Sequence, residues 1–386
     1  MKIFVNLLIR FVNYKTVRIA IQAADLDSDR IDGTRVYILN LLRFFGNLDK
    51  TSNFFIYHKG NFNPELTPPE FANYNIKLIK FPYYWTQLRF AYEIWKDDPD
   101  VLWMPMQSMP FIRRSKLKTV VTIHDLAFKY FPDNFPRNDL FKLNILSEFA
   151  IKNSDKIIAV SHSTKQDILK FYPKIDDQKI KVIHHGFDPE IFNSVRDITR
   201  ENQIKSQYSI KENYLLYVGA IQPRKNLIVL IDAFNEIKKK WPKLQLVLAG
   251  QKAWKWDKTI SMASNSPFKN DIIMPGTLKF SDLGHIMRGA GVFVLPSLYE
   301  GFGIPVLEAF ASGIPVITTS NSSLREIGGD AAIYFNEGDP SELAMKIEDI
   351  LSNESLRNDL VKRGLSQMKK FSWEKCAKET LNYLKS

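Results

Sequence analysis

Two glutamates, Glu300 and Glu308, stand eight positions apart in the run Pro296-Ser297-Leu298-Tyr299-Glu300-Gly301-Phe302-Gly303-Ile304-Pro305-Val306-Leu307-Glu308-Ala309. An apolar, strand-like segment precedes the run and a helical pattern follows it, so the pair belongs to a strand-to-helix turn. Gly301 and Gly303 let the backbone turn tightly and approach a ligand, and Pro305 suits a first helical turn. The free N–H groups and positive dipole end of such a helix attract phosphate. Carboxylates beside a phosphate are electrostatically unfavourable unless each meets a hydroxyl, which a ribose diol and a sugar ring provide. The chemistry indicated is binding of a nucleotide sugar, with Glu300 in the loop and Glu308 about two turns into the helix. On composition alone, a helix-capping Glu300 and a solvated Glu308 form the commoner arrangement.

Two further groups of residues sit where strands end. In Tyr217-Val218-Gly219-Ala220-Ile221-Gln222-Pro223-Arg224-Lys225-Asn226-Leu227, two cations precede a helix. Arg224 can grip a phosphate through its planar fork and Lys225 as a point charge, so a diphosphate is their natural partner; an exposed basic turn fits the spacing equally. In Val120-Val121-Thr122-Ile123-His124-Asp125-Leu126, His124 lies just beyond a β-branched strand. A neutral imidazole there can bond a sugar hydroxyl or a leaving phosphate, or merely tie down its own loop.

The elements that must position these residues alternate between short apolar runs and longer helical patterns, which builds parallel sheets covered on both faces. One set of strands is expected at 17–22, 53–57, 76–81, 101–104, 119–123, 156–160 and 180–183, and a second at 214–218, 244–249, 271–274, 291–295, 315–318 and 332–335. Helices are expected over 34–45, 164–171 and 226–239, the last with Leu227, Leu230, Ile231, Phe234 and Ile237 on one stripe. The stretch 186–212 reads as polar and irregular and holds the boundary. The fold class is therefore α/β, with two Rossmann-like doubly wound domains facing a cleft at the C-terminal strand ends.

The segment from Glu300 to Glu308 strongly resembles the glutamate-x7-glutamate signature of the family 4 retaining glycosyltransferases of GT-B fold. The following Ala311-Ser312-Gly313-Ile314-Pro315-Val316-Ile317 also matches that family. The resemblance runs over nearly the full chain and is closest to bacterial mannosyl- and glucosyltransferases of polysaccharide assembly. It implies an N-terminal acceptor domain over 1–190, a nucleotide-sugar donor domain over 191–370, and a helix over 371–386 that returns to the first domain. By the same resemblance, His124, Glu300 and Lys225 take part in catalysis. Gly33, Arg224, Lys225, Leu278, Gly301, Phe302, Gly303, Val306, Leu307 and Glu308 bind the donor. Two departures stand out: Ala220 replaces the arginine that often follows the glycine, and only Gly33 remains of a glycine-rich tip in the loop 25–33.

The resemblance further implies hexose transfer, mannose or glucose favoured, from GDP-mannose or UDP-glucose to a glycan or lipid-linked acceptor, with no cofactor and no metal. Sugar-nucleotide epimerases and phosphorylases share the fold and are the nearest enzymatic alternatives. Asp27-Ser28-Asp29 is rejected as a metal triplet because a loop of alternating charges supplies such runs by chance, and no His/Cys cluster has zinc spacing along the chain.

A chain of 386 residues exceeds what one core organises, in keeping with two domains. With 53 Lys and Arg against 42 Asp and Glu, its charge of +11 favours anionic partners. Nucleic-acid binding, the rival reading of that charge, lacks any reader motif. The single Cys376 excludes an internal disulfide and fits a cytoplasmic setting. Residues 1–15 mix apolar side chains with Lys2, Arg10 and Lys15 and read as neither signal peptide nor membrane span. They are expected either to pack on the domain or to anchor the protein peripherally at the inner face of the cell membrane.

Overall fold

The computed structural model describes residues 16–386; the reading of residues 1–15 lies outside them. Seven strands, β1 (Arg18–Gln22), β2 (Asn53–His58), β3 (Tyr74–Leu78), β4 (Val101–Met104), β5 (Lys118–Ile123), β6 (Lys156–Ala159) and β7 (Ile180–Val182), form one sheet. Six more, β8 (Tyr214–Val218), β9 (Gln245–Ala249), β10 (Ile272–Gly276), β11 (Val292–Leu295), β12 (Val316–Thr319) and β13 (Ala332–Phe335), form a second. The orders are β3-β2-β1-β4-β5-β6-β7 and β10-β9-β8-β11-β12-β13, and all named strand pairs are parallel.

Period-two alternation puts Ile19, Ile21, Phe54, Ile56, Trp103 and Val120 on one face of the first sheet. Ala20, Tyr57, Leu102, Val121, Ile157 and Ala159 lie on the other, so both faces carry a core. In the second half, the helix Leu227–Ile237 buries Leu227, Leu230, Ile231, Phe234 and Ile237, the stripe read from the sequence. Each such side chain contributes about 1.5–3 kcal/mol relative to exposure.

Three local expectations differ from the structure. β3 begins at Tyr74 and ends before Phe81, because its register is set by β2, with Phe54 opposite Tyr74 and His58 opposite Leu78. Its exposed apolar residues, Ile76 and Leu78, had pointed to a later strand. The stretch 186–212 contains a helix, Ile198–Gln207, capped by Asp197. Of its apolar side chains only Ile204 is buried, and a wholly buried Glu201 paired with Arg196 anchors the rest, so the hydrophobic period is missing. The helix after Gly303 spans Ile304–Ala311, which puts Glu308 about one turn in rather than two.

The helix Trp373–Lys385 starts at Ser372, whose side chain accepts from the Lys375 amide, and lies against the helix Gly33–Leu48 of the first half. Tyr383 donates to the Lys179 carbonyl at 2.8 Å, and Lys385 meets Asp49 at 2.8 Å. One contiguous apolar cluster contains residues of both sheets together with Phe187, Phe192, Phe371 and Trp373, so the halves share a core as well as a connection.

Candidate active site

In each sheet the strand order reverses beside the first strand, between β1 and β4 and between β8 and β11. Open parallel sheets bind ligands at such switch points, beyond their carboxyl ends. A cavity of about 620 Å³ lies there, walled by loops of both halves.

The second-half wall is built on close backbone packing. After β8 and β9, Gly219 and Gly250 have φ of +151° and +149°, and a Cβ on Gly250 would fall 1.9 Å from the Gly219 carbonyl oxygen. Only glycine lets these loops touch. The chain then makes a short helical turn, Pro223–Lys225, whose end is marked by the left-handed Asn226. The Arg224 guanidinium donates to the Tyr299 carbonyl at 2.8 Å and lies 3.3 Å from Glu300 Oε2. Lys225 Nζ bonds Glu300 Oε1, which also accepts from Ser297 Oγ at 2.6 Å. The Glu300 amide donates to Ser322 Oγ at 2.8 Å, fixing the carboxylate's base.

Glu300, Arg224 and Lys225 therefore form one cluster, with Glu300 buried and the two cations half-buried beside it. Burial alone would raise the Glu300 pKa, but the charges of Lys225 and Arg224 and the bonds from Lys225 and Ser297 hold it at about 2. Glu300 is thus a carboxylate at neutral pH, and the cluster carries one net positive charge. The Lys225 ammonium is pulled below its ordinary pKa by burial, against the Glu300 carboxylate, with Arg224 adding to the fall.

Gly303, at φ +104°, caps the helix Ile304–Ala311, and Pro305 occupies its first turn. Glu308 lines the cavity, 7% exposed, with no hydrogen-bond or ion-pair partner among the described residues. Burial, reinforced by Asp188, lifts its pKa to about 8. The two glutamates of one motif are consequently in opposite protonation states at pH 7, one ionised among cations and one mostly protonated. Val306 and Leu307 correct the sequence reading: both side chains are wholly buried and neither lines the cavity. They occupy the core-facing side of the helix that turns Pro305 and Glu308 outward.

The first-half wall sets Asp29, Arg30, Asp32, Glu65 and Asp125 beside Gly33 and His124. His124 follows β5 and lies in the cavity lining, its Nε2 2.8 Å from the Pro105 carbonyl oxygen. That carbonyl requires an N–H on Nε2, leaving Nδ1 as the acceptor. Burial lowers the imidazole pKa, so His124 is neutral at pH 7. Asp125 accepts from the Ala127 amide at 3.0 Å and shapes the loop. Gly33 lines the cavity as the first residue of its helix, where a Cβ would meet Ile304 only at 3.5 Å. Arg35 is pinned to Asp32 at 2.6 Å and to the Asp25 carbonyl at 3.1 Å, not free at the surface.

Gly301 is where the halves meet. A Cβ there would lie 1.9 Å from the His124 carbonyl oxygen, and the Gly301 carbonyl accepts from Ser161 Oγ at 2.7 Å. Phe302 and Leu278 complete the lining. Asp27, from the rejected triplet, takes the Lys59 and Gly60 amides at 2.8 and 2.7 Å and His58 Nδ1 at 3.1 Å, a structural assignment.

Sequence reading missed His185. It lines the same cavity, 3% exposed, with both ring nitrogens unpartnered, between the rings of Tyr37 at 4.7 Å and Phe302 at 4.8 Å. Its only linear signal was a His-Gly pair just after β7, in a stretch that reads as connector.

Two facing doubly wound sheets with a phosphate-type helix start and paired cations at their cleft define a GT-B glycosyltransferase. The chain matches the descriptions "Glycosyltransferase Family 4" over residues 31–191 and "Glycosyl transferases group 1" over 199–367. It is 30% identical over 269 residues to an uncharacterised glycosyltransferase of Methanocaldococcus jannaschii, covering 67% of this chain and 68% of the relative. It is 28% identical over 275 residues to the O-antigen chain mannosyltransferase B of Escherichia coli, covering 69% and 70%. Among solved structures, Anabaena HepE in complex with UDP and glucose superposes with a TM-score of 0.74 at 15% identity, over 96% of this chain and 99% of that one. The chain belongs to the family 4 glycosyltransferases.

Proposed function

We propose that this chain is a retaining hexosyltransferase whose transfer step needs no metal, moving mannose or glucose from GDP-mannose or UDP-glucose to a glycan or lipid-linked acceptor. The observation that carries the reading is the cluster of Arg224 and Lys225 against Glu300 at the cavity wall. The cations receive the donor's diphosphate, and Glu300, released from them, takes a hydroxyl of the sugar. Glu308, largely protonated at pH 7, can both donate to and accept from a ribose diol. His124 offers Nδ1 to a second sugar hydroxyl.

Transfer proceeds on one face of the sugar. The bond from the anomeric carbon to the phosphate oxygen breaks while the acceptor oxygen bonds to that carbon, and the acceptor's proton passes to the departing phosphate oxygen. Charge growing on the diphosphate is met by Lys225, Arg224 and the amides before Ile304, which act most strongly where water is excluded. Mannose is favoured by the mannosyltransferase relative, and a lipid-linked acceptor by the exposed aromatic and basic residues of the first half. Tyr83, Tyr84, Tyr92, Trp95 and Ile112 are exposed there, with Arg89 over Tyr92 and Arg114 over Trp95. No helix among the described residues is long and apolar enough to cross a membrane.

The test is a panel of GDP-, UDP- and ADP-sugars, scored for binding and hydrolysis, followed by proton NMR of the product made with EDTA-treated protein. An α-linked product from an α-linked donor, formed without added metal, is expected. A β-linked product would refute retention, and activity restored only by Mg²⁺ or Mn²⁺ would refute the metal-free step.

A further inference from the structure

Away from the cavity, three segments remote in sequence converge. His162 is the first residue of the helix His162–Phe171 in the first half. His184 follows β7 in the connector, and Glu326 lies in the short helix Leu324–Gly328 of the second half. One ligand atom from each lies within 4.8 Å of the other two. His184 Nε2 is 2.6 Å from Glu326 Oε1, although 142 positions separate the residues. None of the three lines the donor cavity.

We propose that this cluster binds a divalent late first-row transition ion of the zinc class. The ligands are a ring nitrogen of His162, Nε2 of His184 and Oε1 of Glu326, with water completing a tetrahedron. Two imidazoles and one carboxylate are a donor set that zinc takes in open, three-ligand sites. In such a shell the ligand atoms sit about 3.3 Å apart, from metal–ligand distances of about 2.0–2.2 Å. The present spacings, from 2.6 Å to at most 4.8 Å, bracket that value, so side-chain adjustment alone closes the shell.

Two features pre-orient the ligands. Glu326 Oε2 accepts the His162 amide at 3.0 Å, so the carboxylate is already held with Oε1 turned to His184. The His184 ring packs against Phe371 at 5.5 Å and Phe302 at 5.9 Å, which fixes its plane. Such outer contacts set ligand orientation and affinity. His162 is exposed and the other two are partly so, leaving an entry path from solvent. The ion takes the place of the hydrogen in the His184–Glu326 bond, and the neutral imidazole then carries its one N–H on Nδ1. Because the three ligands come from both halves and the connector, a bound ion ties them in one relative position. The proposal does not rest on the transfer chemistry above.

No earlier signal existed, because zinc spacing is a property of neighbouring residues and these donors meet only through the fold. The test is titration of the full chain with Co²⁺, followed by visible absorption, with Zn²⁺ as competitor and thermal unfolding as second readout. We expect one equivalent of Co²⁺ to give a saturable tetrahedral band that Zn²⁺ abolishes, and Zn²⁺ to raise the unfolding midpoint. His162→Ala, at an exposed position, should weaken binding at least about tenfold and remove the midpoint shift, and His184→Ala should do the same. His285→Ala, a histidine outside the cluster, should bind as the parent does. Absence of saturable binding in the parent, or equal binding by His162→Ala, would overturn the site and leave the His184–Glu326 bond as a metal-free contact.

Discussion

The first sheet and the second reverse their strand order at the same point, β1 to β4 and β8 to β11, yet the loops emerging there differ in kind. The second half brings Arg224, Lys225, Glu300 and Glu308 to the cavity, with the Glu300 pKa held down to about 2 and that of Glu308 lifted to about 8. The first brings the neutral His124, the helix start at Gly33, and Asp29, Arg30, Asp32, Glu65 and Asp125, with Asp32 paired to both Arg30 and Arg35. Farther out, it exposes aromatic and apolar side chains, Tyr84 at 78% and Ile112 at 73%, of a kind its partner half largely buries. The second half thus gathers Arg224 and Lys225 about Glu300 at its switch point, and the first half carries exposed aromatic and basic side chains farther out.

Lys225→Ala tests that division most severely. If charge on the second half carries the chemistry, kcat should fall roughly 10²–10³-fold, the usual loss for one preorganised electrostatic contact. His124→Ala should cost only about tenfold, one neutral hydrogen bond. Steady-state kinetics at saturating donor decide the matter, and a larger loss at His124 would reverse the comparison.

Gly301→Ala asks whether the halves must touch. The added Cβ meets the His124 carbonyl, so the halves must part. A fall in kcat/KM of about 10²-fold is expected from misplacement on the ångström scale. Small-angle scattering should show a larger radius with an unchanged far-UV spectrum, and unaltered kinetics would mean that the contact is dispensable.

Glu308→Ala should raise the donor KM about tenfold with little change in kcat, because a ribose contact is made equally in ground and transition states. An unchanged KM removes Glu308 from the ribose. Its titration gives a separate handle. The folded protein keeps the Glu308 proton up to about pH 8, while the unfolded chain loses it near 4.5. Stability therefore falls as pH rises through that window, by on the order of a few kcal/mol. Relative to the parent, Glu308→Gln should be of similar stability near pH 4.5 and increasingly more stable towards pH 8, measured by urea unfolding. A constant difference across the range would place the carboxyl in a wetter setting.

The smallest effect concerns residues 1–15, which lie outside the described residues. Deleting residues 1–15 should reduce sedimentation with anionic vesicles by a few-fold and leave donor binding intact. Equal sedimentation would assign that segment to packing, with Trp95 and Ile112 as the next positions to change.

What could be read in advance followed from local rules. The strand ends, the glycine turn, Pro305 and the stripe of the helix Leu227–Ile237 are short-range patterns, and they located the cavity wall. Contacts made across the chain were not legible. Nothing in the linear order says that Glu300 bonds Lys225 75 positions away, or that Gly301 carries the His124 carbonyl on its back. Val306 and Leu307 were placed in the site by their motif, but the helix turns them into the core. His185 and the helix Ile198–Gln207 were missed because an imidazole and an ion pair on a buried glutamate leave no hydrophobic period.

With its own carboxylate held against Lys225 and Arg224, the pocket carries a tethered rival for any diphosphate that those cations would receive. If Glu300 takes the sugar as proposed, a donor displaces that rival by offering it the hydroxyls of its sugar. Inorganic phosphate and pyrophosphate have none, so they must evict the carboxylate unaided. After transfer the sugar is gone, and Glu300 again has no partner except the two cations. Being attached, it competes at high effective concentration. On the proposed function, the bond that holds Glu300 at rest would then favour release of the spent nucleotide.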